Sequence, residues 1–594
     1  MKEQKRLIAG EPVTVYAVET EEDLAGFRDF VRANTGMLGC DSETTGLDIY
    51  SDSFRCRTVQ FGNTNEAWVI PVERGGHYQA DVVTALGAVE HLVFQNAAYD
   101  LQVFDRTLGV RMESLWPKVR DTKILAHLVD PRGRDEGGIG HGLEALTRHY
   151  VDPEIADGVK TLMTALAKTH KVPKGEVWKA VDYNDPDYQL YAGMDPVLAV
   201  RLSKKLRPLV PRGSGRLIRY EHQLAEVCAY MERTGFLLDT EYTKDLSNRL
   251  IDTEVSHAWK ARQLGCENVN STEQVADVLE SRGVRIKERT PSGRRKVDKV
   301  LLAGLVEQGD EFAESVLLAK KARKWRTAWV DGFLQRVDKD DRCHAAINPL
   351  RARTARMSIT GIPAQTLPAG DWMIRRCFLA DPGHVIASVD YQTQELRVLA
   401  AISGDRKMQQ AFRTDADLHQ ITADASGVDR KVGKMVNFAY VYGSGPRNIA
   451  QQAGVEVDTA RRVITGFEQS YPKVKELSKE LQKQARDTGY VITPFGRRLP
   501  VDPDRAYSAL NYMVQSSSRD ITAGGLLRLH KAGFTPYLRL PIHDEVLVSL
   551  PADKARWGAS RIGELMSTTF KGVHIGTDPE VGGRSWGSLY KADY

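Results

Sequence analysis

VIASVDYQTQELR, residues 385–397, decides how the rest of the chain is read. Five small or apolar residues, Val385 to Val389, run straight into Asp390, and Glu395 follows five positions later. A run of that length and texture predicts a buried strand that delivers Asp390 at its end. A second stretch has a matching form. LRLPIHDEVLVSL, residues 538–550, sets His543, Asp544 and Glu545 between two apolar segments and reads as a tight hairpin. Alone, it reads as no more than a polar turn. Inside a packed sheet, a hairpin can hold its tip rigidly beside Asp390. Two aspartates so placed are the minimum cradle for two-metal phosphoryl transfer.

Between these segments lies DRKVGKMVNFAYVYG, residues 429–443. Arg430, Lys434, Phe438 and Tyr442 recur every fourth residue. On a helix that pattern drifts ~40° per step and spans about 18 Å, so the four share one slanted face. A solvated basic face explains the two cations cheaply, but not two rings continuing the stripe. Cations followed by rings match a nucleoside triphosphate, with charged phosphates at one end and a stacking base at the other.

The N-terminal third carries its own acids. MLGCDSETTGLD, residues 37–48, puts Asp41 and Glu43 after a strand expected to end at Cys40, where alternate residues point to one face. FQNAAYDLQVF, residues 94–104, spaces Asn96 and Asp100 by one helical turn, and YQLYAGMDPVLA, residues 188–199, does the same for Tyr191 and Asp195. Each segment by itself fits an N-cap, a surface acid or a packed ring. Together they offer four carboxylates and a phenol from three elements. Grouped acids repel unless a cation neutralises them, and hard oxygen ligands favour Mg²⁺ or Mn²⁺. Two such ions about 3.5–4 Å apart activate water against a phosphodiester, and Tyr191 is placed to orient that water.

At 594 residues the chain calls for about two to four domains. With 42% hydrophobic and 27% charged residues it has an ordinary globular profile, and its net charge of +4 neither demands nor excludes nucleic acid. Six scattered cysteines, Cys40, Cys56, Cys228, Cys266, Cys343 and Cys377, fit a reducing cytosol better than a disulfide framework or zinc site. The start MKEQKRLIAGEPV carries no signal-peptide pattern and no 18-residue apolar run follows, so a soluble cytoplasmic protein without membrane contact is expected. Strands followed by helices over about 1–205 read as an α/β domain, and RPLVPRGSG (207–215) as its edge. A long helix then stops at Gly235, and helices with a basic loop, KERTPSGRRKVDK (287–299), fill 240–335. Helices dominate 405–488.

The ordered acids of the N-terminal third, with Tyr191 in the last motif, resemble the three motifs of DEDDy-type 3′→5′ exonucleases of RNase H-like fold over roughly residues 12–205. DYQTQELR, R-x-x-x-K-x-x-x-F-x-x-x-YG and HDE resemble motifs A, B and C of family A DNA polymerases, in the family's order. ARTARMSITGIPAQTLP (352–368) is similar to the family's T-x-T-G-R-L-S-S…LQNIP segment, NYMVQSSSRD (511–520) to its N-x-x-x-Q element, and GFLLDTEY (235–242) to the end of its first thumb helix. The resemblance covers nearly the whole chain.

It implies a multidomain α/β and α+β protein: an RNase H-like exonuclease domain over 1–205, then a right-hand polymerase domain over 206–594. Within the latter, the thumb covers about 215–345, the palm about 346–404 and 500–594, and the fingers about 405–499. It implies template-directed synthesis from dNTPs on primer-template DNA, with two Mg²⁺ ions per active site, Mn²⁺ able to substitute, and a single-stranded 3′ end in the exonuclease site. By the same resemblance Asp41, Glu43, Asp100 and Asp195 are metal ligands, and so are Asp390, Asp544 and the backbone carbonyl of Tyr391, with Glu545 in support. Arg430, Lys434 and His419 meet the triphosphate, Lys434 as proton donor to pyrophosphate. Phe438 packs on sugar and base, Tyr442 stacks near the templating pair, and Glu395 is the gate against a ribose 2′-OH. Arg356, Gln365, Asn511, Gln515 and His543 touch primer or template, and loops such as SGRRK (292–296) grip phosphates.

Some positions depart from the family pattern. Gln392, Thr393 and Gln394 replace Ser-Gln-Ile, Ala355 replaces Gly, and Tyr507 stands where Arg is common. The chain opens on the exonuclease with no room for a 5′-nuclease domain, a layout that resembles bacteriophage replicative polymerases, with actinobacterial phages as the expected source. No large thumb insertion for a processivity partner stands out. Three other readings compete. A pure exonuclease requires loss of Asp390, Asp544 or the phosphate-gripping pair, and a single-subunit RNA polymerase conflicts with Glu395 and the proofreading set. A DNA-binding scaffold leaves two clustered acid sets without purpose.

Overall fold

The computed structural model describes residues 1–368 and 370–594, with Val159 and Lys160 described in backbone only. The strands of the N-terminal third form one seven-stranded sheet: β1 (Lys2–Ile8), β2 (Glu11–Ala17), β3 (Met37–Thr44), β4 (Cys56–Gly62), β5 (Glu66–Ile70), β6 (His91–Phe94) and β7 (Val119–Asp121). Their spatial order is β1-β2-β5-β4-β3-β6-β7, with β3–β6 and β6–β7 parallel and β3–β4 antiparallel. β3 does not stop at Cys40. β4 is buried along its whole length from Cys56, and its ladder carries β3 on to Thr44, so Asp41 and Glu43 sit inside the sheet opposite Gln60 and Thr58.

Helix α1 (Ala97–Leu108) begins one residue after Asn96, which is therefore not on the helix with Asp100 as expected. Asn96 adopts left-handed backbone (φ 72°), which asparagine tolerates better than most residues. Its N–H and that of Ala97 both donate to the Asp121 carboxylate, at 3.0 and 2.9 Å, so an acid from β7 caps the helix.

Helix α2 (Pro186–Leu206) lies on this sheet at very short range. A Cβ on Gly39 would stand 2.0 Å from the Pro196 carbonyl oxygen, and one on Gly193 2.3 Å from Val15 Cγ1. Only hydrogen at those two positions lets α2 bring Tyr191 and Asp195 down to the level of β3.

Helix α3 (Gly215–Thr234) ends at Gly235, whose φ of 65° confirms the stop read from the sequence. The following helices α4 (Thr240–Gln263) and α5 (Glu311–Trp325) enclose a separate small core around Val275, Leu279, Phe312 and Val316. The C-terminal sheet is built from β8 (His384–Tyr391), β9 (Leu538–Ile542), β10 (Glu545–Pro551) and β11 (Thr577–Val581), in the antiparallel order β9-β10-β8-β11. Around it stand α6 (Gln394–Ser403), α7 (Arg430–Val441) and α8 (Ala509–Lys531). Fully buried Glu221 on α3 accepts from Arg519 and Arg497, and both arginines reach Asp520. Charges this deep persist only when paired, and the quartet ties α3 to α8. Among the described residues, no helix is long and apolar enough to cross a membrane.

Candidate active sites

On β3, Asp41 and Glu43 alternate onto the face that α2 covers, and Asp195 of α2 meets them there. Carboxylate oxygens of the three lie within 4.8 Å of one another. Asp100, the fourth expected member, stands outside that trio. It is 3% exposed, and its Oδ1 accepts from Ser42 Oγ at 2.6 Å, which anchors it to the residue between the two strand acids. Burial first, then the neighbouring acids, hold Asp41, Glu43 and Asp100 far above the usual carboxylate range. Burial pushes Asp195 up to about 7. The Tyr191 hydroxyl hydrogen-bonds Asp195, and that carboxylate's charge, followed by burial, keeps the phenol protonated. Its ring tilts against Trp178 at 4.8 Å. Acids packed this tightly are stable only if protonated or bridged by a cation, and their hard oxygens fit a divalent one.

In the C-terminal half, Asp390 sits at the end of β8 in register with Glu545 of β10. Asp544 occupies the two-residue turn between β9 and β10, and the preceding His543 has φ 58°, the left-handed backbone that such hairpins demand. The Tyr391 N–H donates to the Asp544 carbonyl at 3.2 Å, docking the turn against β8 and bringing the two aspartates side by side. Asp390 opens to solvent at one side. The protein packed behind it, then Asp544 and Glu545, push its carboxyl up to about 7. Glu545 accepts from Ser388 Oγ at 2.6 Å.

A cavity of 430 Å³ opens over this pair, lined by Arg356, Asp390, Tyr391, Glu395, Phe438, Tyr442, Gln515, His543 and Asp544 among others. Phe438 projects from α7, and Tyr442 lies one residue past that helix. Glu395 divides its carboxylate: Oε1 accepts from Arg356 at 2.6 Å, Oε2 from the Tyr442 hydroxyl at 2.7 Å. Burial and that neighbouring charge lift Tyr442 to about 12. An adjoining 540 Å³ cavity is lined by Lys434, Phe438 and Tyr442.

A family model described as "DNA polymerase family A" matches residues 240–588, over half the chain. The chain belongs to DNA polymerase family A. A second model, "3'-5' exonuclease", matches residues 15–211. The chain is 55% identical to "DNA polymerase" of Mycobacterium phage L5 and 54% identical to that of Mycobacterium phage D29, across 100% of both partners in each case. It is 29% identical to "DNA polymerase I" of Chloroflexus aurantiacus, over 96% of this chain and 63% of that one. Its fold matches a solved structure, the POL domain of Pol1 from M. smegmatis in complex with DNA primer-template and dNTP. The TM-score is 0.77 at 20% identity, covering 96% of this chain and 100% of that one. This family A member is therefore a DNA-directed DNA polymerase with a 3′→5′ exonuclease domain preceding the synthetic one. The family's chemistry depends on divalent metals.

Not every expected residue of this polymerase reaches the cavities. Gln365 spends its amide on its own loop, accepting from the Ile359 N–H at 3.2 Å and donating to the Met357 carbonyl at 3.0 Å. Asn511 is not among the cavity-lining residues, and its Oδ1 is buried without a protein partner. His419 is 7% exposed, shares a hydrogen bond with Asn437 at 3.1 Å and backs Phe438 from behind. Arg430 pairs with Asp417 at 2.5 Å. The SGRRK loop is largely spoken for: Arg295 pairs with Glu273, Asp277 and Glu280, and Lys296 with Glu288 and Asp298, all within 3.2 Å. Those acids come from the helix and turns flanking the loop, which the run of basic letters conceals.

Ser42, which no motif singled out, anchors Asp100, and two of the motif A departures have defined roles. Thr393, between β8 and α6, takes left-handed backbone (φ 42°) and lines the 430 Å³ cavity floored by Asp390 and Asp544. Such a conformation costs a β-branched residue on the order of 1–3 kcal/mol and tends to persist where the site needs it. Gln392, one of the motif A departures, donates to Asp578 of β11 at 2.6 Å and accepts from Arg397 at 3.2 Å.

Proposed function

We propose that the 430 Å³ cavity seats the incoming dNTP against the primer 3′ end, and that the β3–α2 acid cluster trims a single-stranded 3′ end. The observation that carries this is convergence. Nine residues singled out from five separate segments of sequence line one cavity whose floor is Asp390 and Asp544.

Asp390, Asp544 and the Tyr391 carbonyl would hold two Mg²⁺ ions, with Glu545 in support; Asp41, Glu43, Asp195 and Asp100 would hold the pair in the exonuclease site, and Mn²⁺ would substitute in both. When bound, such ions lower the pKa of the attacking hydroxyl and neutralise charge on the leaving oxygen. Lys434 donates a proton to pyrophosphate. Arg430 joins it on the triphosphate after releasing Asp417, and His419 steadies that end. Phe438 packs on the sugar and base, Tyr442 beside the templating pair. Glu395, fixed by Arg356 and Tyr442, excludes a ribose 2′-OH. Arg356, Gln515 and His543 touch the primer-template, with Gln365 and Asn511 shaping the walls behind them. In the exonuclease site Tyr191 orients the attacking water.

On this reading residues 1–205 excise and 206–594 synthesise, with a thumb at about 215–345, a palm at about 346–404 and 500–594, and fingers at about 405–499. The full-length similarity to mycobacteriophage polymerases supports a role in copying a phage genome in the host cytoplasm. Binding of Mn²⁺ followed by electron paramagnetic resonance tests the metal assignment. Asp390→Asn should remove one class of bound ions and leave the other, whereas an unchanged binding isotherm would refute the C-terminal site.

A further inference from the structure

Five residues, Ala352–Arg356, touch both halves of the enzyme. The Ala352 carbonyl accepts from Nε2 of His127, in the exonuclease half, at 3.0 Å. Arg353 is 4% exposed and divides its guanidinium between the halves. Nη2 donates to the Glu136 carbonyl at 3.0 Å and Nε lies 3.4 Å from the Glu136 carboxylate, while Nη1 donates to Asp502 at 2.9 Å. The guanidinium carbon sits 5.5 Å from the Tyr512 ring on α8. One turn further along α8, Gln515 Oε1 accepts from Thr354 Oγ1 at 3.3 Å, and Gln515 lines the synthetic cavity. Arg356 reaches the same cavity through its pair with Glu395.

The segment between these contacts is stiff. Ala355 holds left-handed backbone (φ 62°), its N–H donates to the Ala352 carbonyl at 2.8 Å, and the N–H groups of Arg351 and Ala352 both donate to the Arg356 carbonyl at 3.3 Å. A loop closed on itself in this way does not absorb a shift of Arg356 locally, and passes it to Arg353 three residues away.

We propose that Arg353 is a positioning residue that couples the seating of the primer end to the exonuclease half. A paired end holds Arg356 and Gln515 in place and keeps the Arg353–Glu136 contact closed; a mispaired end displaces them, loosens that contact and favours excision. This rests on the cavity being the primer-end site, which Asp544→Ala tests separately through loss of extension. The two sites affect each other only if both bias one element with two arrangements, and the Ala352–Arg356 loop is that element.

The test uses the full chain with Arg353→Met, which keeps the aliphatic stem, and Glu136→Gln as a milder second variant. Three rates are compared with wild type: extension of a paired primer, degradation of a single strand, and excision of mispaired relative to paired ends without dNTPs. The expected result is near-normal extension and single-strand degradation, with the mispaired-to-paired preference falling about five-fold or more in Arg353→Met, the lower end of typical couplings. Glu136→Gln should move the ratio the same way by less. An unchanged ratio in both variants overturns the proposal. So does a parallel fall of all three rates with melting temperature, which marks a purely structural clamp.

Discussion

Glu395 holds two partners with one carboxylate, and neither bond is readable from its position in the sequence. The residue type and its distance from Asp390 point to the cavity, but the fixed rotamer comes from Arg356 and Tyr442, which lie far away in the chain. Glu395→Ala frees both and opens the space against the sugar. Ribonucleotide use relative to deoxynucleotide use, measured by single-nucleotide insertion, should rise by one to two orders of magnitude, consistent with roughly 1.5–3 kcal/mol for charged hydrogen bonds. Unchanged discrimination would remove Glu395 as the gate. At this scale the acids were legible because carboxylates after apolar runs are costly without a purpose. Ser42 and Thr393 were not: a serine between two acids attracts no notice, and nothing in a threonine announces left-handed backbone.

Elements place those residues, and α2 is the clearest case. Its approach to β3 depends on Gly39, where a methyl group would lie 2.0 Å from a backbone oxygen that cannot swing away. Gly39→Ala should push α2 outward and separate Asp195 from Asp41 and Glu43. Displacements near 1 Å at a catalytic centre cost about a hundred-fold, so single-strand degradation should fall by that order while primer extension stays near normal. Equal loss of both activities would mean a general folding defect instead. The stop at Gly235 and the Ile542–Glu545 hairpin followed from local residue preferences alone. The extension of β3 to Thr44 and the displacement of Asn96 from α1 did not, since one depends on the length of β4 and the other on Asp121 of β7. The basic loop has partners its own letters do not show: Glu273, Asp277 and Glu280, which pair with Arg295, come from the preceding helix.

The halves of the molecule meet across buried polar groups, which makes their junction sensitive to pH. Burial holds His127 down to about 3, so it stays neutral against the Ala352 carbonyl. In the unfolded chain it takes up a proton near its ordinary 6.5. The unfolded state therefore binds more protons between those values, and this group's contribution, complete above 6.5, is lost as pH falls toward 3. His127→Gln keeps a donor for Ala352 without titrating. Between pH 7.5 and 5.5 wild type should lose about 1.4 kcal/mol more stability than the variant in paired thermal or denaturant melts. Parallel curves would show that the junction does not exclude the charged ring.

Two distant acid pockets, one for building strands and one for trimming them, are the claim on which everything else depends, and reciprocal inactivation tests it most directly. On one labelled primer-template and one labelled single strand, Asp544→Ala should extend no primer yet still shorten the single strand, and Asp41→Ala should do the reverse. An Asp544→Ala enzyme that extends primers normally, or a single substitution that silences both activities in a folded protein, would contradict it.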